Sequence, residues 1–262
     1  MFTFCSLFSG SSGNCSIVQS ENTKILIDIG ESTKKIVTAL EQLNIKPEEI
    51  DAILITHEHS DHTKGLNTFS NKYKTPIYIN KETYTALINK NPNISLTNIY
   101  HFNYKKFNIN DLEILPFSIP HDAANPCGFN IFKDGKKISI ATDIGHITNE
   151  VLTYLEKSSF LLLEANYDSE VLKCSSYPYT LKQRIAGPLG HLSNTSAGKT
   201  ISYLYNLGLS NVMLGHLSKE NNFPELAYKT VVEELMNNQI NENNIKLSVA
   251  YRDKPSNIID IS

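Results

Sequence analysis

The sequence contains no tryptophan and only four cysteines in 262 residues. The cysteines lie far apart and none belongs to a Cys-x-x-Cys pair, which argues against a disulfide framework and against a thiolate zinc site. They are Cys5, Cys15, Cys127 and Cys174. We therefore expect reduced thiols and a cytoplasmic protein.

The sequence also lacks long apolar runs and a strong excess of either charge. No apolar run approaches the roughly 18 residues of a membrane-spanning helix, and the first residues lack the basic region of a signal peptide. The formal net charge of -3 predicts no global basic surface, so any nucleic acid must be bound by a local patch. No low-complexity linker divides the chain, which predicts a single domain over 1–262.

Three of the eight histidines lie within six positions, in the segment His57-Glu-His-Ser-Asp-His62. An apolar run at 51–55 precedes this segment and is typical of a buried strand. In an extended chain His57 and His59 point to the same side, and the following turn brings Asp61 and His62 toward a neighbouring point. Solvated loops seldom hold three imidazoles at this spacing, so the segment predicts two adjacent metal sites.

The pattern His-x-His-x-Asp-His after an apolar strand resembles the signature of the metallo-β-lactamase fold. This resemblance implies an αββα sandwich, and the alternation of predicted strands and helices fits that α/β class. Three more polar residues follow apolar strand-like runs: His121, Asp143 and His216. By the resemblance, the first ion would be bound by His57, His59 and His121 and the second by Asp61, His62 and His216, with Asp143 bridging the two.

Some of these positions also have a structural interpretation. A lone histidine at a strand end, such as His121 or His216, is more often a hydrogen-bonded boundary residue, so the other predicted ligands support the metal role. Asp28 either caps the following helix or supports the histidine loop. The segment 9–14 is either a hairpin turn or a loop that offers backbone N–H groups to an anion.

The predicted donor set indicates hydrolytic chemistry. Five imidazoles and two carboxylates without a thiolate suit Zn, Mn or Fe, and the sequence does not choose among them. Two such ions would activate a shared water and stabilise charge on the attacked group, with Asp61 as both ligand and catalytic residue. We assign no metal role to His101 or His146.

A further histidine, His191, lies in a Gly-His-Leu-Ser segment before a predicted helix. The segment resembles the active-site histidine motif of phosphodiesterase and nuclease members, which implies that His191 protonates the leaving group. The alternative is a helix-entry histidine, with Ser193, Asn194 or Thr195 as the helix cap.

One charge feature favours phosphate substrates. The stretch 171–219 contains no Asp or Glu and five Lys or Arg residues, so that its formal charge is +5. Tyr177 and Tyr179 lie within it and could stack on bases. The alternative is a solvated surface with two packing tyrosines.

The motifs together resemble the YycJ/WalJ group of compact bacterial metallohydrolases. They are Ser-Gly-Ser-Ser-Gly-Asn, Leu-Ile-Asp-Ile-Gly, Ala-Thr-Asp-Ile-Gly-His, Glu-Ala-Asn-Tyr-Asp and two Gly-His-Leu-Ser segments. The resemblance implies a DNA exonuclease that acts from 5′ ends and is linked to repair. The chain departs from the pattern at Tyr167, where many relatives have His. Glu164 is interpreted either as structural or as a residue that supports the site residues. The alternatives are a small-molecule phosphodiesterase and a non-catalytic metal-dependent sensor or scaffold, and the sequence does not give the oligomeric state.

Overall fold

Short apolar strands alternate with amphipathic helices, and the computed structural model, which describes residues 1–262, arranges them in two seven-stranded sheets. The strands are β1 (Phe2–Phe8), β2 (Cys15–Ser20), β3 (Lys24–Ile27), β4 (Ala52–Leu54), β5 (Ile77–Asn80), β6 (Ile99–Phe102), β7 (Phe107–Ile109), β8 (Leu112–Ser118), β9 (Cys127–Lys133), β10 (Lys136–Ala141), β11 (Phe160–Glu164), β12 (Asn211–Gly215), β13 (Lys246–Val249) and β14 (Ile259–Asp260). The α-helices are α1 (Thr33–Gln42), α2 (Ser60–Thr63), α3 (Leu66–Tyr73), α4 (Lys81–Lys90), α5 (Asn149–Leu155), α6 (Ser169–Cys174), α7 (Tyr179–Ile185), α8 (Asn194–Tyr205) and α9 (Pro224–Asn237). Two short 3₁₀ helices lie at Pro47–Glu49 and Glu242–Asn244.

The two sheets have the same pairing pattern. The first has the order β14-β1-β2-β3-β4-β5-β6 and the second β13-β12-β11-β10-β9-β8-β7. Each sheet contains three adjacent antiparallel pairs and three adjacent parallel pairs, and in chain order the antiparallel strands come first apart from β14. Parallel neighbours need crossover connections, and helices supply them. Helix α1 connects β3 to β4, for example, and α9 connects β12 to β13.

The hydrophobic core forms three layers. The central layer joins the facing sides of the two sheets and includes Phe4, Phe129 and Phe160. An outer layer lies between the first sheet and helices α1, α3 and α4. The other lies between the second sheet and helices α5, α8 and α9. Two sheets with helices on both outer faces confirm the predicted αββα sandwich.

Side-chain caps fix several helix starts. The Asn80 side chain accepts a hydrogen bond from the Thr83 N–H at 2.8 Å, and Ser193 accepts one from Ser196 at 3.2 Å. Such caps satisfy N–H groups that have no partner within the helix. The histidine segment continues into α2 and then α3, with Gly65 between the two helices, where the Gly65 N–H donates to the Ile29 carbonyl.

The fold brings several loops to one edge of the sandwich. Strands β10, β11 and β12 are parallel, so the segments that follow them leave the sheet at the same edge. Strands β3 and β4 are parallel in the other sheet. Six of the seven predicted ligands follow β4, β10 or β12, and His121 follows β8. None of the helices has the length and apolar character needed to cross a bilayer.

Replacing Phe160 with alanine is expected to lower the free energy of unfolding by about 3–5 kcal/mol. The Phe160 and Phe4 rings are fully buried between the sheets with centroids 4.6 Å apart, and the substitution leaves a cavity there. Urea denaturation measures the change. The control is Tyr203→Ala, at a half-exposed position on α8, for which we expect a change within about 0.5 kcal/mol. Equal losses in the two variants would contradict the assignment of Phe160 to the inter-sheet core.

Candidate metal centre

Asp28 fixes the loop that carries the histidine cluster. Its Oδ1 accepts the Thr56 N–H at 2.9 Å and its Oδ2 accepts the Thr56 hydroxyl at 2.8 Å. The same Oδ2 lies 2.7 Å from His62 Nδ1, so that Asp28 orients the imidazole as well as the backbone. Helix α1 is capped by Ser32 instead. Of the two interpretations of Asp28, the structure supports the loop-supporting one.

A second network joins the β1–β2 turn to this loop. The Asn14 N–H donates to the Asp61 carbonyl at 2.8 Å, and the Gly30 N–H donates to the Asn14 carbonyl at 2.8 Å. A Cβ on Gly30 would overlap the Asp61 carbonyl and the Asn14 amide, so only glycine permits this close approach. The segment 9–14 is therefore a hairpin turn, and the Asn14 amide lies 3.1 Å from His62 Nε2.

The residues predicted for the first ion lie together. Ligand atoms of His57, His59 and His121 are within 4.8 Å of one another. His59 Nδ1 lies 3.4 Å from His121 Nε2, while His121 Nδ1 lies 3.0 Å from the Gly190 carbonyl. His57 Nε2 is buried and has no hydrogen-bond partner. Three ring nitrogens thus face one point.

The residues predicted for the second ion form an adjacent group. Ligand atoms of Asp61, His62 and His216 are also within 4.8 Å of one another. Asp61 Oδ2 lies 3.6 Å from His62 Nε2 and 3.9 Å from His216 Nε2. The backbone of His216 is held on both sides, because its N–H donates to Ser9 Oγ and its carbonyl accepts from the Asn166 amide, each at 2.8 Å.

Asp143 lies between the two groups. Its Oδ2 is 3.1 Å from His62 Nε2 and 2.9 Å from His216 Nδ1, and its Oδ1 is 3.7 Å from His121 Nε2. The carboxylate is almost fully buried. The structure therefore brings all seven predicted ligands together, in the two groups and with the bridging position expected from the sequence. Their binding of metal remains a prediction.

Three residues of this region have left-handed backbone conformations. The φ angles of Asp28, Asp143 and His216 are +61°, +59° and +55°. Positive φ is uncommon outside glycine and costs of order 1–3 kcal/mol per residue, and it concentrates at functional sites. At each of the three positions, this conformation occurs within two residues after a strand.

The electrostatics of the site favour bound cations. Burial holds the pKa of His57 well below its ordinary value, which keeps the ring in the neutral form that binds metals. Burial opposes ionisation of Asp143, yet His216 and His62 hold the pKa of its carboxyl well below the usual range. Burial lowers the pKa of His62, but the carboxylates of Asp143 and Asp28 outweigh this effect and raise the pKa well above its usual value. The same carboxylates would attract a divalent cation.

His191 lies at the edge of the cluster and is oriented by Glu164. Its Nδ1 is 2.7 Å from Glu164 Oε1, and its ring centroid is 5.3 Å from those of His121 and His216. Burial disfavours the charged imidazole, but Glu164 raises the pKa of His191 to about 9. Glu164 is fully buried, and its Oε2 accepts the N–H groups of Ile144 and Leu192.

The sequence offers a supporting role for Glu164 as one of two interpretations, but it does not identify His191 as the partner. The only local signal is its position after the strongly apolar strand β11, the same strand-end position that identified the ligands. Of the three caps considered for the helix after His191, the structure shows Ser193 as the cap of α8.

The remaining histidines lie outside the cluster. His101 Nδ1 is 3.1 Å from the Ile79 carbonyl on β5, and His146 Nδ1 is 2.8 Å from the Pro188 carbonyl. Tyr167 is buried, and its carbonyl accepts the Asn194 N–H at 2.9 Å. Tyr167 therefore helps to position the start of α8.

The donor atoms fit divalent metal ions. His57 Nε2 is buried without a hydrogen-bond partner, and Asp143 Oδ2 and His216 Nδ1 are buried 2.9 Å apart without a well-aligned hydrogen bond. Such atoms are costly in a protein interior unless another group binds them. The cluster supplies imidazole nitrogens and carboxylate oxygens and no sulfur, a set that suits Zn, Mn or Fe.

Comparisons with known proteins place the chain among related sequences and structures. Residues 23–217 match the family model described as beta-lactamase superfamily domain. The chain is 39% identical over 238 residues to exodeoxyribonuclease WalJ of Streptococcus pneumoniae, covering 89% of this chain and 88% of the relative. It is 32% identical over 235 residues to exodeoxyribonuclease YycJ of Bacillus anthracis, covering 88% of each. The metallo-beta-lactamase fold protein YhfI of Bacillus subtilis matches 98% of this chain and 99% of its own, at a TM-score of 0.72 and 14% identity.

Proposed function

The chain belongs to the beta-lactamase superfamily, and on that premise we propose that it is a metal-dependent exonuclease that hydrolyses phosphodiester bonds of DNA. The observation that carries the proposal is the cluster of seven converging ligands with His191 at its edge. Two relatives of nearly the same length bear the name exodeoxyribonuclease, at 39% and 32% identity. These relatives confirm the prediction from the sequence that the chain belongs to a family of hydrolases that includes exonucleases.

In this proposal the two groups of residues hold two divalent ions. His57, His59 and His121 bind one, Asp61, His62 and His216 bind the other, and Asp143 contacts both. When bound, the ions activate a water for attack and stabilise negative charge on the phosphate. Asp28 and the Gly190 carbonyl hold the far nitrogens of His62 and His121, which fixes the ring orientations. Zn, Mn and Fe all suit this donor set.

Two residues act on protons. The Asp61 side chain is 23% exposed, so it is reachable from solvent, and we assign it the orientation of the attacking water. His191 is bound to Glu164 through Nδ1, which leaves Nε2 to donate a proton to the leaving oxygen. The attacking water would thus be oriented by Asp61 and the leaving oxygen protonated by His191 at one centre.

The finer parts of the proposal follow from the resemblance and the cysteines. We propose removal of nucleotides in the 5′ to 3′ direction, in a repair context. All four cysteines are unpaired, and this supports a cytoplasmic location.

Metal-loaded protein is expected to shorten DNA stepwise. The assay uses duplex and single-stranded DNA labelled at either end, an RNA of the same sequence and a small generic phosphodiester, each with Zn, Mn or Fe. Labels at the two ends give the polarity, because the label at the attacked end is released first. Asp61→Ala and His191→Ala are both expected to lose the activity.

The other outcomes are equally informative. Cleavage of the small ester without any DNA would favour a small-molecule phosphodiesterase, and cleavage of RNA alone would move the substrate to RNA. Absence of cleavage with all three metals would contradict an enzymatic function and favour a metal-dependent sensor or scaffold.

A further inference from the structure

A polar cleft of about 960 Å³ opens beside His59 and Asp61. One wall is formed by α2 and the start of α3, and another by the end of α4 with the loop 91–94. Arg184 of α7 lines the cleft as well. Because two predicted metal ligands lie in its wall, the cleft leads directly from the candidate metal centre to solvent.

Three cationic side chains line this cleft, and each is anchored by a carboxylate. The pairs are Lys64 with Glu31 at 3.6 Å, Lys90 with Glu58 at 3.2 Å and Arg184 with Asp122 at 2.6 Å. The cationic side chains are 55%, 55% and 63% exposed, whereas the Glu31 and Glu58 side chains are only 8% and 3% exposed. The positive groups are therefore held in place and still face solvent.

The anchoring carboxylates are themselves bound by the protein. Glu58 accepts the Ala124 N–H at 3.2 Å, and Glu31 accepts the Ser32 N–H at 3.1 Å. Arg184 uses Nε for Asp122, and no protein group accepts a hydrogen bond from its two terminal nitrogens. Those nitrogens form the fork that suits a phosphate.

The other residues that line the cleft indicate which part of a nucleic acid fits there. Asn67, Asn91 and Asn93 contribute amides, and Leu87 and Ile94 are the apolar members. The carboxylates in the lining are Glu58, which pairs with Lys90, and the predicted metal ligand Asp61, and no Phe or Tyr lines the cleft. Small-molecule pockets are mainly apolar, and channels that grip bases carry aromatic stacking platforms. A cationic, amide-rich cleft without them suits a charged backbone.

We infer that this cleft binds the sugar–phosphate backbone of the DNA strand beside the cleaved bond, with Lys64, Lys90 and Arg184 contacting its phosphates. The inference rests on the proposed function and adds the path of the substrate. Two of the three cations come from the first half of the chain, outside the basic stretch 171–219. Within that stretch, Lys173 pairs with Glu170, and Lys182 donates to the Lys173 carbonyl.

The test measures how salt weakens binding of a single strand. The metal-loaded protein and the variants Lys64→Gln, Lys90→Gln and Arg184→Gln are titrated with a phosphorothioate oligonucleotide, which keeps its charges and resists hydrolysis. Each phosphate contact contributes about 0.7 to the slope of log affinity against log salt concentration. We expect each variant to lose about 0.7 from the slope and the double variant Lys64→Gln/Lys90→Gln to lose about 1.4.

The matched control is Lys229→Gln. Lys229 is exposed on α9, pairs with Glu233 and does not line the cleft. Its slope should equal that of the unmodified protein. Turnover of a small phosphodiester should be unchanged in Lys229→Gln. In the three cleft variants it should fall less than strand binding does, because that substrate does not extend along the cleft.

Either of two results would overturn the inference. One is an unchanged salt slope in the three cleft variants. The other is a loss of small-ester turnover as large as the loss of strand binding, which would make these residues supports of the metal centre. Failure of the proposed function is seen separately, because the unmodified protein would then cleave no DNA, whatever the slopes of the variants.

Discussion

Replacement of Asp143 by alanine is expected to reduce phosphodiester hydrolysis by at least about a thousandfold. Asp143 lies within 3.1 Å of His62 and His216 and within 3.7 Å of His121, so that it is the one carboxylate adjacent to both groups of ligands. Its loss removes a negative charge from each proposed ion site. Metal ions supply several kcal/mol of transition-state stabilisation, and about 4 kcal/mol corresponds to a thousandfold change in rate.

Elemental analysis of the purified protein provides a second measurement for this variant. We expect two divalent ions per chain in the unmodified protein and one or none in Asp143→Ala. The control is Glu113→Gln on strand β8, away from the metal centre. This substitution breaks an exposed ion pair with Lys106 and should alter neither activity nor metal content. Retention of two ions and full activity in Asp143→Ala would rule out the bridging role.

The fold and the positions of the ligands follow from local sequence patterns. Apolar strand runs alternate with amphipathic helices, and the αββα arrangement buries both the faces of the sheets and the apolar faces of the helices. A ligand such as His121 is recognisable because it directly follows an apolar run, and parallel strands deliver such residues to one edge. The sequence patterns at 81–89 and 225–237 predict helices, and the observed helices α4 and α9 have the same bounds to within about one residue.

Helix α7 shows where this reasoning stops. None of its residues is buried, and in the sequence 179–185 only Leu181 and Ile185 have the helical i, i+4 spacing, which is too short a pattern to indicate a helix. Its position depends instead on contacts with distant residues, such as the ion pair of Arg184 with Asp122. Helix α6 was missed as well. The sequence shows that the stretch 171–219 is positively charged, but it does not show which of its cations reach the cleft.

Contacts between loops are the other part that the sequence does not reveal. Glu164 orients His191 across 27 positions, and Asn14 reaches His62 across 48. The left-handed conformation of His216 is set by the tertiary structure, since nothing in the local sequence indicates it. The cleft cations Lys64 and Lys90 come from different helical regions, and only the folded chain brings them together.

His191→Ala is expected to lower kcat for DNA by about 10²- to 10⁴-fold, the usual contribution of a general acid. Metal content should be unchanged, because His191 is not among the proposed ligands. The decisive comparison is between leaving groups. A nucleoside hydroxyl leaves as a poor, basic oxygen that needs a proton, whereas 4-nitrophenolate leaves without one. Loss of a proton donor should therefore reduce DNA cleavage far more than hydrolysis of a 4-nitrophenyl phosphodiester.

Glu164→Gln tests whether the acid depends on its orientation. In the unmodified protein, the Glu164 carboxylate accepts the proton on Nδ1, which leaves Nε2 to donate to the substrate. An amide of the same shape has only one acceptor oxygen and no charge, so it holds the imidazolium less well. We expect a loss of about 10- to 100-fold in kcat, the range for residues that orient catalytic ligands, with the same dependence on leaving group. His101→Ala, on the exposed strand β6, should match the unmodified protein. Equal losses on DNA and on the 4-nitrophenyl ester in both site variants would show that His191 and Glu164 only maintain the shape of the site.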